Sequence, residues 1–215
     1  MRTAPIAQQR ATRKSTALIR RERTTSVRQI LRAITLCSNT LELCPRREAV
    51  YLCFMRVFSG LSEMESSPLY GARSVVTIGN FDGVHPGHQQ LIHRTQERAR
   101  ELDVRSVVLT FEPHPLFVLR PDLKLRRLFD PADRQEQMEK LGVDLLVIEP
   151  FSRNFSQLSP EQFLGDMILR PFQPVALVVG YDFSFGANRT GSIEFLKAQS
   201  ELLGFEFEVV RPVSV

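Results

Sequence analysis

The 215-residue sequence is 43% hydrophobic and carries 28 Lys and Arg against 24 Asp and Glu, a formal net charge of +4. That is enough apolar material for one soluble core with an appendage, and no run of about 18 apolar residues is present to span a bilayer. The positive excess is local: residues 1–54 hold 11 Lys and Arg against 3 Asp and Glu, while the rest holds 17 against 21, so composition gives the body no nucleic-acid footprint.

The leader, residues 1–54, is rich in Arg, Thr and Ser, with a semi-apolar stretch from Val27 to Leu43 interrupted by Arg32. Such a segment is expected to be poorly ordered or marginally helical. Three readings compete: a transit-type targeting segment, a basic arm, or residues upstream of the natural start. The third is preferred, because Met55-Arg56-Val57-Phe58 looks like the opening of a domain that then occupies 55–215. All three cysteines, Cys37, Cys44 and Cys53, fall in the leader. Their odd number and the lack of C-x-x-C spacing argue against a disulfide framework and against zinc. A cysteine-free body is compatible with a cytoplasmic location.

From Ser74 onward, short β-branched runs alternate with amphipathic stretches. Strands are expected at Val75–Gly79, Ser106–Phe111, Leu145–Phe151, Ala176–Gly180 and Phe205–Val210. Between the first two, Leu91, Ile92, Thr95, Ala99 and Leu102 recur at helical spacing. Asp130-Pro131 and Ser159-Pro160 each offer a capping acceptor followed by proline at the first helical position, with Asp133 and Gln162 at the third. Gly142 and Gly204 are placed to end helices. The alternation predicts an α/β fold, a five-stranded parallel sheet with helices on both faces. Ligands of such sheets gather at the carboxyl ends of the strands.

The loop after the first strand reads Gly79-Asn80-Phe81-Asp82-Gly83-Val84-His85-Pro86-Gly87-His88, with a helix expected to start at about His88. Its glycines permit tight turns and close backbone approach, and a helix N-terminus presents N–H donors to an anion. Two imidazoles three residues apart can both reach the oxygens of one phosphate. The pair alone is also compatible with a surface pair, a cap or half of a metal site. No third histidine, cysteine or carboxylate stands at ligand spacing, so a dedicated metal site is the weaker reading.

This His-x-Gly-His core resembles the signature of the nucleotidyltransferase superfamily. The fuller string resembles the FMN adenylyltransferase (FAD synthetase) module of the bifunctional riboflavin kinase/FAD synthetase family. Further matches follow in order: Thr110-Phe111-Glu112-Pro113-His114-Pro115, then Phe151 to Phe155 with Leu158-Ser159-Pro160-Glu161-Gln162-Phe163, then Val179-Gly180-Tyr181-Asp182-Phe183-Ser184-Phe185-Gly186 with Arg189 and Gly191. The resemblance spans about Met55 to Val215 and implies a Rossmann-like nucleotidyltransferase fold.

It also implies transfer of AMP from ATP, carried with Mg2+, to the phosphate of FMN, releasing diphosphate and FAD. His85 and His88 would contact the ATP phosphates. Gly79, Asn80, Phe81, Asp82 and Gly83 would shape the turn where nucleotide and flavin meet, with Asn80 a phosphate or nucleotide contact. No protein metal ligand is implied. His114 either lines the site or is held by its flanking prolines, and Asp182 either contacts a substrate or caps a turn. Phe183 and Phe185 offer faces to an isoalloxazine ring or belong to the core. Arg189 meets phosphate or only solvent.

Family members continue into a Ser-Ser-Thr-x-Ile-Arg motif that contributes to the ATP site, and then into a riboflavin kinase domain. Neither is in this sequence, so kinase activity is expected to be absent and adenylyl transfer to be weakened. The rival readings are a nucleotidyltransferase with another phosphorylated acceptor, such as pantetheine phosphate or nicotinamide mononucleotide, and a remnant that binds FMN or ATP without turnover. A nucleic-acid binder would rest on the leader alone. The expected partners are small molecules, with no nucleic acid and no membrane, and the sequence leaves the oligomeric state open.

Overall fold

A computed structural model describes residues 55–122 and 130–211. The expectations for the leader and its cysteines lie outside the described residues.

In chain order the elements are β1 (Arg56–Phe58), α1 (Leu61–Met64), β2 (Ser74–Ile78), a 3-10 turn (Asp82–Val84), α2 (Pro86–Glu101), β3 (Arg105–Glu112), α3 (Pro115–Leu119), α4 (Pro131–Leu141) and β4 (Leu145–Pro150). A second 3-10 turn (Phe155–Gln157) precedes α5, a continuous helix of Pro160–Gln162, the π-helical Phe163–Leu169 and Arg170–Phe172. Then come β5 (Pro174–Gly180), a third 3-10 turn (Ala187–Arg189), α6 (Ile193–Leu203) and β6 (Glu206–Val210).

The strands form one parallel sheet in the order β1-β4-β3-β2-β5-β6. All five expected strands are present, and the sixth is a correction. Arg56–Phe58 adds β1 at the edge, with Arg56 opposite Leu145 and Phe58 opposite Val147. Three residues are too short to show a period, so β1 gave no strand signal.

Each strand sends alternate residues to opposite faces. On one face Val75, Val108, Leu146, Ala176 and Val178 pack under α2 and α4, which contribute Leu91, Ile92, Ala99 and Met138. On the other, Val76, Ile78, Leu109, Val147, Leu177 and Val179 pack against Leu61, Met64, Phe163, Leu164, Ile168, Phe172 and Leu196. Burial on both faces explains why the strands read as continuous apolar runs.

The helix signals hold with two differences. Ser159 and Gln162 form a reciprocal capping box, and Gly142 and Gly204 end α4 and α6 at φ 79° and 77°. Asp130 stands at the N-cap of α4, but its side chain makes no capping bond. Helix α2 starts at Pro86 rather than near His88, because proline's fixed φ suits the first position and His85 serves as the cap.

Candidate active site

The sheet order reverses direction between β2 and β5. The chain builds outward from β2 through β3 to β4 on one side, and from β5 to β6 on the other. A crevice at the carboxyl ends of the two strands flanking such a reversal is where an open α/β sheet takes its ligand. Two loops flank it: residues 79–88 after β2, and residues 181–192 after β5.

The first loop is held in an unusual conformation. Phe81, Gly83 and Val84 have φ of 49°, 77° and 38°, and each non-glycine residue in this region costs about 1–2 kcal/mol. Buried anchors offset that cost. The Phe81 side chain is fully buried and Val84 is 3% exposed. Phe81 therefore shapes the turn from below and packs against His88 at 5.1 Å between ring centroids. The Asn80 carbonyl accepts from the Thr110 hydroxyl at 3.1 Å, and Gln89 Nε2 donates to the Val84 carbonyl at 3.0 Å.

His85 and His88 are brought together, with stacked rings whose centroids are 3.6 Å apart. His85 Nδ1 accepts from the His88 backbone N–H at 3.4 Å. In the neutral ring that leaves the proton on Nε2, free to act as a donor. Gly87 leaves room between them, since a Cβ there would lie 3.2 Å from His85 Cε1 and push that ring aside by a few tenths of an ångström. Burial, and next the neighbouring His85, lower the His88 pKa to about 4, against the opposing pull of Asp182 and Asp82. His88 is thus neutral at pH 7, and its buried Nδ1 has no hydrogen-bond partner among the described residues. His88 therefore gains a proton with difficulty unless an anion lies against its ring.

The second loop contributes Asp182, close enough to act on His88 electrostatically. Asp182 and Arg189 are exposed, and Arg189 sits at φ 58°. Phe183 is half-buried and stacks on Phe185 at 5.5 Å. Phe185 is a core residue, 6% exposed and wedged among Phe163, Phe183 and Phe195. Its ring has no free face for a ligand, which leaves half-buried Phe183 and exposed Tyr181 as the aromatic surfaces of this loop.

His114 is at the end of β3, where its ring accepts from the Leu116 N–H at 3.2 Å and caps α3. Asp82 and Gly83 lie in the 3-10 turn, and Gly79 carries the Phe81 ring close above it. Among the described residues no three His, Cys, Asp or Glu side chains gather to hold a metal ion.

Arg134 was not anticipated from the sequence. It is 5% exposed and pairs with Glu112 at 3.0 Å. The available signal was its position four residues before Met138, on the apolar side of α4.

Residues 68–215 match the FAD synthetase family. The chain belongs to this family. It is 34% identical over 152 residues to a bifunctional riboflavin kinase/FMN adenylyltransferase of Escherichia coli (strain K12), covering 71% of this chain and 48% of that protein. A Bacillus subtilis (strain 168) protein of the same description is 37% identical over 124 residues, 57% of this chain and 39% of that one. The chain therefore spans about half the length of the curated relatives it matches. The crystal structure of a macrolide-efflux protein from Streptococcus pneumoniae superposes with a TM-score of 0.63 at 30% identity, covering 75% of this chain and 51% of that one. The likeness is one of sheet and helix arrangement. Among the described residues of this FAD synthetase family member, no helix is long and apolar enough to cross a membrane.

Proposed function

We propose that residues 55–215 form an FMN adenylyltransferase that converts ATP and FMN to FAD and diphosphate. The observation that carries the reading is the stacked His85/His88 pair at the start of α2, beside the switch point of the sheet, in a chain of the FAD synthetase family.

An FMN phosphate oxygen attacks the α-phosphorus of ATP. The bond from that phosphorus to the oxygen bridging to the β-phosphate breaks, and diphosphate leaves. The attacking oxygen is already anionic, so no general base is needed and catalysis rests on positioning and charge stabilisation. His85 Nε2–H and the His88 ring donate to the phosphate oxygens as negative charge builds there. Asn80, with Gly79, Asp82 and Gly83, forms the turn that receives the nucleotide. Asp182, Phe183 and Arg189 face the acceptor, and His114 borders the site from β3. Mg2+ enters with the nucleotide as part of the substrate, and a cytoplasmic location accompanies this reading.

The test is FAD formation from FMN and MgATP followed by chromatography, with a His85→Ala/His88→Ala control. FAD that disappears in the control supports the assignment. A folded protein that binds FMN or ATP saturably and forms no FAD overturns it.

A further inference from the structure

Arg134 stands in the first turn of α4 with its guanidinium buried. Nη2 pairs with Glu112 at 3.0 Å, and Nη1 lies 3.4 Å from the carbonyl oxygens of both Asn80 and Phe111. Nε is also buried and has no hydrogen-bond partner among the described residues. Removing a cation from water costs several kcal/mol, and an apolar side chain of similar length would fill the same space without that cost. What the guanidinium supplies is direction, because its planar fork fixes several acceptors at once.

Those acceptors belong to different elements. Asn80 opens the loop after β2, whereas Phe111 and Glu112 end β3 directly before Pro113-His114. The orientation of the Asn80 carbonyl sets the peptide plane leading into Phe81, the first left-handed residue of the histidine loop. Thr110 holds the same carbonyl from β3. One helix side chain thus reaches both substrate-facing loops on this side of the sheet.

We propose that Arg134 is a positioning residue for adenylyl transfer. It sets the Asn80–Phe81 peptide and the end of β3, and through them the placement of the His85/His88 pair, without touching the reacting atoms. The kinetic consequence rests on the FMN adenylyltransferase reading, while the effect on loop geometry does not.

The experiment compares Arg134→Met, Arg134→Lys and Glu112→Gln in the full chain, with thermal unfolding and an amide NMR spectrum as the check on folding. The first readout is the NMR titration of the His88 imidazole, which faces His85, Asp82 and Asp182. In the parent its midpoint is depressed to about 4. Release of the loop in Arg134→Met exposes the ring and raises the midpoint by about one unit or more toward the ordinary 6.5. Arg134→Lys keeps a cation and returns the midpoint most of the way. The second readout is steady-state FAD formation. Arg134→Met lowers kcat about tenfold or more with the KM for ATP changed less than about threefold, and lysine restores kcat to within about threefold of the parent.

A folded Arg134→Met protein with an unmoved His88 midpoint overturns the proposal. If methionine prevents folding, Glu112→Gln decides: a raised midpoint supports the proposal, and a midpoint equal to the parent's overturns it. A parent that makes no FAD sinks the functional reading alone, because the His88 titration still decides the role of Arg134.

Discussion

The two loops flanking the switch point differ in how they are held. Residues 79–88 are fastened by two buried side chains, a hydroxyl, an amide and a guanidinium, and they keep Phe81, Gly83 and Val84 in left-handed conformations. Residues 181–192 lean on Phe185 and its paired bonds with Gly191, at 3.1 and 2.9 Å, with Tyr181, Asp182, Ser184 and Asn188 to Arg189 exposed. The more deeply anchored loop suits a demand for fixed geometry. The second loop presents exposed polar side chains instead. Both loops hold left-handed residues, Phe81 and Val84 in the first and Asn188 and Arg189 in the second, so the depth of anchoring rather than backbone strain separates them.

The sharpest way to break this comparison is to remove the imidazoles. His85→Ala/His88→Ala should lower kcat for FAD formation by about 10²–10³-fold, the scale of losing charge-stabilising donors, with the protein still folded. A loss confined to KM would mean that the pair binds ground state and transition state alike.

Next come the glycines, one in each region. Gly87→Ala brings a Cβ to 3.2 Å from the His85 ring, so kcat should drop about tenfold with little loss of thermal stability. Gly191→Ala brings a Cβ to 2.7 Å from the Phe185 ring. That clash lies in the core and should cost about 1–3 kcal/mol in urea unfolding, with kcat per folded molecule changed less. If the two variants exchange their effects, the assignment of rigidity to the first loop fails.

A smaller effect comes from protons. His88 binds fewer protons folded, with a pKa of about 4, than unfolded at 6.5. Its contribution to stability is therefore full above pH 6.5 and is lost as pH falls toward 4. A bound polyanion favours the imidazolium, so ATP binding should take up a proton and tighten as pH is lowered from 7 to about 5. Calorimetry in buffers of different ionisation enthalpy checks this, and the parent-minus-His88→Gln difference isolates the imidazole from the nucleotide's own titration. The smallest effect is Asp182→Asn. Removing a carboxylate that raises the His88 pKa should lower its NMR midpoint by less than about one unit, and an unchanged midpoint would detach the second loop from the histidine pair.

Much of this arrangement was legible in the sequence, for reasons that differ by residue. The four inner strands announced themselves because burial on both faces demands unbroken apolar runs, as in Val107–Leu109 and Leu145–Val147, whereas β6, a half-buried edge strand, is marked by Phe207, Val209 and Val210 alone. Gly142 and Gly204 marked helix ends because the left-handed position there excludes most side chains. The histidine loop was legible from its glycines. Phe183 and Phe185 look equivalent along the chain, and only the packing of Phe163 and Phe195 against Phe185 separates them. Arg134 stayed hidden because arginines on helices usually face water, and two of its three acceptors are main-chain carbonyls that carry no residue-type signal. Edge strand β1 was too short to read.

The all-parallel sheet also bears on how the chain reaches this state. No two neighbouring strands are joined by a tight hairpin, and the pair at the switch point, β2 with β5, closes only when Ser74–Ile78 meets Pro174–Gly180. During synthesis β2, buried along its whole length, therefore emerges long before one of its partners exists. Folding should be slow for a domain of this size, with Val75, Val76 and Ile78 open to wrong associations until β5 arrives. The yield of native protein should then depend on dilution and on chaperone supply more than on the stability of the finished sheet.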